Sequence, residues 1–344
     1  MTVFATLGLF IIDEFSYFDD EGLPTTNILA PQGSLASEST GSTYLTPSPL
    51  DRRLPADQIA MMVDKGHDFP ASIYARLLEY GSEMWIFREQ PNSVTTKALN
   101  SYNGDHRNFE YLTPRIRLTP KDLIGTKGAK SQMLHFICSP SRAFDIMSEV
   151  KQVNGWLPTT IYEPIPDRCV PEELPALLKV LPLISILSPN AEEALSILSL
   201  HVQPKKWSIE QAADTFLEFG IGNEGTGCVL IRCGEMGAYV KSRAREGMWI
   251  DAFWNSQEDS KRIVDVTVFA AGAGNSFLGG LAAGLRLNQG DVYEATFYAS
   301  VSASFVVEQQ GLPAISSSNG QGLSLWNGDL PTRRLQVLHA RHGK

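Results

Sequence analysis

The chain turns on one stretch, Val264-Asp265-Val266-Thr267-Val268-Phe269-Ala270-Ala271-Gly272-Ala273-Gly274-Asn275-Ser276-Phe277-Leu278-Gly279-Gly280-Leu281. An apolar run ends at an acid and a threonine. A glycine loop follows, then Phe277, Leu281 and Leu285 at helical spacing. Read as strand, loop and helix, this leaves Ala273, Gly274 and Asn275 in a first turn whose backbone N–H groups have no intrahelical acceptor. Glycines let the backbone approach a ligand closely, and the positive end of a helix favours an anion. The stretch therefore suits a phosphate or a developing negative charge, although any strand-to-helix turn can carry glycines. It is not a dinucleotide fingerprint, because Phe277 stands where a third glycine is needed, and it lacks the Lys-Ser/Thr of a P-loop.

Outward from there, composition describes an ordinary folded protein of 344 residues, 43% hydrophobic and 19% charged, long enough for one large α/β domain. A net charge of −9 argues against nucleic-acid binding as the main role. The cysteines at 138, 169, 228 and 233 form no C-x-x-C pair and read as buried reduced thiols rather than zinc ligands. No apolar run reaches membrane-spanning length. The stretch Val3–Ile12 has no basic residues before it and two acids after it, which predicts a buried first strand rather than a signal peptide. A cytoplasmic location is expected, with no membrane partner.

Strand-like runs fall at Val3–Ile12, Ile59–Val63, Met133–Cys138, Thr159–Tyr162, Leu183–Leu187 and Cys228–Arg232. Helical patterns lie near Pro70–Tyr80, Ser141–Val150, Asn190–Leu198 and Ser208–Phe219, the last with a capping box in Ser208 and Gln211. A further helix, Asp291 to Glu308, carries a capping box in Asp291 and Glu294. The alternation predicts a parallel sheet covered by helices. Residues 21–55, rich in Ser, Thr and Pro, fit neither pattern, and 321–344 reads as a C-terminal tail behind a single domain spanning 1–320.

The glycine stretch resembles the C-terminal signature of the PfkB (ribokinase-like) carbohydrate kinases, Asp-x-Thr-Gly-Ala-Gly-Asp followed by a Gly-rich helix. The resemblance implies a three-layer αβα fold with a mostly parallel central sheet and a small β lid. It also implies ATP-dependent phosphoryl transfer to an alcohol group of a sugar or nucleoside, with Mg²⁺. By that resemblance Gly272, Ala273 and Gly274 form the anion hole, and Asn275 stands where the family has its catalytic Asp. Asp265 and Thr267 match the start of the signature on the nucleotide side, but Val268–Ala271 look like four inserted residues between them and the loop. Asp13, read from its place after the first strand, matches the Asp that bonds sugar hydroxyls; two acids opening a solvated loop is the alternative.

Asn190 and Glu193 match the family's Asn-x-x-Glu, in which the Glu helps organise the Mg²⁺ water shell; a plain capping box explains the same spacing. Gly234 and Gly237 match a Gly-x-x-Gly turn lining the nucleotide site, or simply make a hairpin turn. Glu163-Pro164-Ile165-Pro166-Asp167 resembles the family's Asp-Pro-Asn segment. Thr95–Tyr102, with Asn100 as the candidate substrate contact, reads as a lid or contact strand; the arginines that follow, Arg107, Arg115 and Arg117, are equally surface charges. Asn27–Pro49 lacks the family's Gly-Gly substrate motif. Such details as Asp64-Lys65-Gly66 look most like the fungal maintenance-of-killer branch. Two readings follow: an impaired kinase, or a pseudokinase that keeps the fold as a nucleotide-binding or regulatory protein.

Overall fold

Alternation of side chains along the strands divides the core in two. The computed structural model describes residues 1–18, 54–103, 106–254, 272–308, 312–317 and 324–344. Near the N-terminus lie β1 (Phe4–Thr6), β2 (Ile12–Phe18) and β3 (Ile59–Gly66), then α1 (Ala71–Glu79). β4 (Trp85–Gln90), β5 (Lys97–Asn103) and β6 (His106–Tyr111) follow. The middle of the chain alternates: β7 (Met133–Cys138), α2 (Pro140–Gln152), β8 (Thr159–Pro164), α3 (Leu174–Val180), β9 (Ile186–Leu187), α4 (Ala191–Ile197) and α5 (Lys206–Phe219). β10 (Cys228–Arg232), β11 (Ala238–Ser242) and β12 (Arg245–Ile250) then precede two long helices, α6 (Ala273–Leu287) and α7 (Val292–Val306). A short pair, β13 (Ile315–Ser317) and β14 (Ser324–Trp326), leads to α8 (Pro331–Arg341).

Nine of these strands form one sheet in the order β12-β11-β10-β9-β8-β7-β1-β3-β4. Pairing is parallel from β10 through to β4 and antiparallel only at β10-β11-β12. Residues i and i+2 share a face of a strand. Thus Ile59, Met61, Val63 and Leu230 pack with α1, α6, α7 and α8, whereas Ala60, Met62, Leu134, Phe136, Val229 and Ile231 pack with α2 to α5. The fold is the expected ribokinase-like three-layer α/β arrangement. A separate small sheet, β2-β5-β6, stands beside it.

Two local expectations are corrected. Val3–Ile12 is not one strand: Thr6 Oγ1 accepts from the Gly8 amide at 3.0 Å and turns the chain out of the central sheet. Ile12–Phe18 then pairs in parallel with β5, so Asp13 belongs to the small sheet rather than to the end of β1. The helix expected from Ser208 starts earlier, at Lys206, because Ser208 Oγ accepts from the Lys205 amide at 3.0 Å and so serves the third helical position instead of the cap. At α7, Asp291 does cap Tyr293 and Glu294, but the Glu294 carboxylate pairs with His339 at 2.6 Å rather than returning to the cap.

Residues beyond 320, expected as a tail, hold β14 and α8, whose Trp326 and Leu338 join the core. Arg334 of α8 is buried over the Phe305 ring at 3.6 Å and is held by Glu308 at 2.8 Å and Asp329 at 2.9 Å. Burial pushes the Asp329 carboxyl up, but hydrogen bonds from Arg333 and Arg334 outweigh it and hold it at about 2. With an unfolded value near 4, that group contributes about 2 kcal/mol of stability above pH 5, lost as pH falls through about 2. Urea midpoints of wild type and Asp329→Asn should therefore differ at pH 7 and converge towards pH 2. A constant difference would remove Asp329 from the acid response.

Packing of α6 on α7 depends on small residues. A Cβ at Gly284 would lie 2.6 Å from Ala295 Cα, and one at Gly280 would lie 2.6 Å from the Tyr298 carbonyl. In an open helix Gly→Ala gains up to about 1 kcal/mol. Here the added methyl must push α7 away, so Gly284→Ala should instead cost about 1–3 kcal/mol in urea unfolding.

Candidate active site

Open parallel sheets place ligands beyond the carboxyl ends of their strands. At that edge the ends of β8, β9 and β10 deliver Glu163, Ser188 to Asn190, and Arg232, and the first turn of α6 comes to meet them. α6 begins at Ala273, the residue that the glycine spacing puts in the first turn. Gly272 is its N-cap with φ +100°, a left-handed conformation that suits glycine. Its carbonyl accepts from the Ser276 amide at 2.8 Å, so the amides of Ala273, Gly274 and Asn275 precede the first intrahelical bond. Asn275 is buried within this turn.

Asn190 caps α4: its side chain accepts from the Glu193 amide at 2.8 Å, and Glu193 Oε2 accepts from the Asn190 amide at 2.7 Å. The reciprocal capping box is therefore present. Asn190 also bridges in parallel to Arg232. Gly234 and Gly237 make the turn between β10 and β11, where the Cys233 amide donates to the Gly237 carbonyl at 2.8 Å. Gly237 has φ +90°, and a side chain there would meet the Ile250 to Ala252 backbone.

Arg232 joins these parts, and its importance is not apparent from the sequence. Its Nη2 lies 2.5 Å from Glu163 Oε1, 3.8 Å from Glu193 Oε2 and 3.2 Å from the Ser188 carbonyl that accepts from it. Behind Glu163 stands the buried His135, whose Nε2 is 3.6 Å from Glu163 Oε2 and whose Nδ1 bonds Thr6 Oγ1 at 2.9 Å. Burial pushes the Glu163 carboxyl up, but the Arg232 guanidinium, with the His135 ring beside it, outweighs burial and holds it below its usual range. Glu193 behaves oppositely: burial, with the Glu163 charge adding to it and Arg232 opposing, pushes its carboxyl up to about 7. The one signal for Arg232 is a charge ending the apolar run Cys228–Ile231 directly before a glycine turn. Glu163 was visible only as part of a turn, and His135 only as part of a strand.

That geometry bears on magnesium. Glu193, expected beside a Mg²⁺ water shell, already caps α4 and faces a guanidinium. A carboxyl whose Oε2 already accepts the Asn190 amide and faces a guanidinium is poorly placed to order a magnesium shell.

In the small sheet, Asn100 Nδ2 donates to Asp13 Oδ1 at 3.0 Å, so the two expected substrate residues meet, both buried. Asp64 is instead tied to Arg88 at 2.5 Å, and Arg88 also holds Asp122 at 2.6 Å. Asp265, Thr267 and the inserted Val268–Ala271 lie outside the described residues, as does Asn27–Pro49. No helix among the described residues is long and apolar enough to cross a membrane.

A family model for pfkB family carbohydrate kinases matches residues 131–318. An uncharacterized protein of Schizosaccharomyces pombe is 31% identical over 98% of this chain and 92% of its own. Protein MAK32 of Saccharomyces cerevisiae is 30% identical over 82% of this chain and 78% of its own. The crystal structure of ribokinase from Thermotoga maritima superposes with a TM-score of 0.60 at 16% identity, covering 99% of this chain and 100% of the other.

Proposed function

Because the chain belongs to the pfkB family of carbohydrate kinases, we propose that it transfers the terminal phosphoryl group of ATP to a hydroxyl of a sugar or nucleoside, at a rate limited by Asn275. The observation that carries this is the meeting of the α6 glycine turn with the carboxyl ends of β8, β9 and β10. In the reaction the acceptor oxygen forms a bond to the γ-phosphorus, the bond to the bridging oxygen breaks, and ADP leaves. The backbone of Gly272, Ala273 and Gly274 at the start of α6 would hold the transferring oxygens, and stabilisation of this kind costs no reorganisation. Gly234 and Gly237 would line the nucleotide. Asp13 and Asn100 would hold acceptor hydroxyls.

Asn275 can hydrogen-bond the attacking hydroxyl but cannot take its proton. The proton must leave to solvent, which slows the reaction without abolishing positioning. The second reading, a nucleotide-binding protein without turnover, is favoured by the same Asn275. A reduced, cytoplasmic setting belongs to the proposal and is supported by the four cysteines, all buried and unpaired.

The test is transfer of labelled γ-phosphate from ATP to a panel of pentoses, hexoses and nucleosides. A labelled sugar or nucleoside phosphate supports the kinase reading. ATP binding without any labelled product supports the second reading, and absence of both binding and product defeats both.

A further inference from the structure

Pairing of β12 with β11 ends at Ile250, and the chain continues as a connector, Asp251-Ala252-Phe253-Trp254, with no strand of its own. The connector runs directly past the turn between β10 and β11. A Cβ at Gly237 would meet the Ile250 carbonyl and lie 2.8 Å from the Ala252 nitrogen, so connector and turn pack backbone against backbone. Whatever fixes residues 251–254 therefore fixes one side of the turn that carries Gly234 and Gly237.

The last two helices do the fixing. From α7, Ser300 Oγ donates to the Asp251 carbonyl at 2.8 Å, and the Ser304 carbonyl accepts from Trp254 Nε1 at 3.0 Å. From the end of α8, Arg341 Nη1 donates to the Phe253 carbonyl at 2.7 Å, and His342 Nε2 accepts from the Asp251 amide at 3.3 Å. The buried Arg334 lies over both connector rings, 5.3 Å from the centre of Phe253 and 4.9 Å from that of Trp254. A cation in the last turn of a helix ordinarily serves that helix's own carbonyls and dipole. Arg341 instead reaches a carbonyl 88 residues away in the sequence, with its guanidinium 5.2 Å from the Phe253 ring. Lys344 gives the contrast: it pairs with Glu294 of α7 at 2.7 Å and lies 4.4 Å from the Phe297 ring, so its partners are on α7.

We propose that Arg341 is a positioning residue of the nucleotide site: it holds the connector against the turn of Gly234 and Gly237, and the C-terminal helix thereby helps to set nucleotide affinity. The proposal rests on the phosphoryl-transfer reading, in which that turn lines the nucleotide. Arg341 touches no reacting group and acts through the Phe253 carbonyl. Without it the connector keeps its α7 contacts but loses a charge-assisted hydrogen bond, and the turn it supports is held less closely in its binding geometry. Arg341 is exposed, so its removal leaves no cavity and no buried charge.

Isothermal titration of the full chain with ATP and magnesium, on wild type, Arg341→Met, Arg341→Lys and Lys344→Met, tests this, with a urea midpoint for each protein. Arg341→Met should weaken ATP binding by about threefold to tenfold, the share of one hydrogen bond. Arg341→Lys still offers a donor to the Phe253 carbonyl and should recover most of the loss. Lys344→Met should shift the urea midpoint about as much as Arg341→Met does, yet bind ATP as wild type does. Equal ATP affinity in all four proteins overturns the role of Arg341 and leaves the nucleotide site standing. An equal loss in Lys344→Met also overturns it, because general loosening of α8 would then be the cause. Wild type that binds no ATP overturns the phosphoryl-transfer reading, and this proposal with it.

Discussion

Asn275→Asp should raise turnover by about 10²–10⁴-fold with any sugar or nucleoside that the wild type phosphorylates, the usual contribution of a general base. Asn275 is buried in the first turn of α6, where the helix terminus favours a negative charge and burial opposes it. Asp has nearly the shape of Asn, so the exchange adds a proton acceptor with little repacking. The gain should appear in kcat, measured by ADP release, because the hydroxyl proton moves only as the bond to phosphorus forms. KM for ATP should change little. If ATP still binds but Asn275→Asp turns over no faster, position 275 does not hold the base, and the non-catalytic reading becomes the better one.

Glu163→Ala should destabilise the fold by about 3–5 kcal/mol, because it strands the Arg232 guanidinium beneath the sheet edge. The loss comes from the uncompensated charge and not from the missing contact alone. Combining Glu163→Ala with Arg232→Met should therefore recover most of it, since both charges leave together. Glu193 stays 3.8 Å from the arginine and offsets part of the penalty in the single variant. Urea unfolding of the singles and the double, read as a cycle, gives the coupling directly. Additive losses would mean that the pair is not coupled and that Arg232 is held by its bond to the Ser188 carbonyl.

How much of this was legible depends on whether the controlling contacts are local. β7 and β10 could be read from their apolar runs, and their bounds, Met133–Cys138 and Cys228–Arg232, are those expected. Such strands are buried on both faces, and composition alone marks them. The α6 start could be read because glycines and a helical apolar spacing sit side by side. The break after Thr6 could not, since it depends on a side-chain bond to Gly8 within a continuous apolar run. Leu183–Leu187 shortened to Ile186–Leu187 because Pro182 sits in a tight turn that reaches Leu183. The Arg232 cluster joins residues from three strands and two helices, and no local pattern reports such a meeting. Asp13 and Asn100 were each named for different reasons, yet only the parallel pairing of β2 with β5 brings them to 3.0 Å.

The most direct measurement is the equilibrium binding of ATP to wild type and to Gly274→Val. Saturable binding by wild type that is lost in Gly274→Val is the expected result, because a side chain at 274 would fill the space against Arg232 and cover the amides of the turn. Equal binding by both proteins would put the nucleotide elsewhere and contradict a phosphate site at the start of α6.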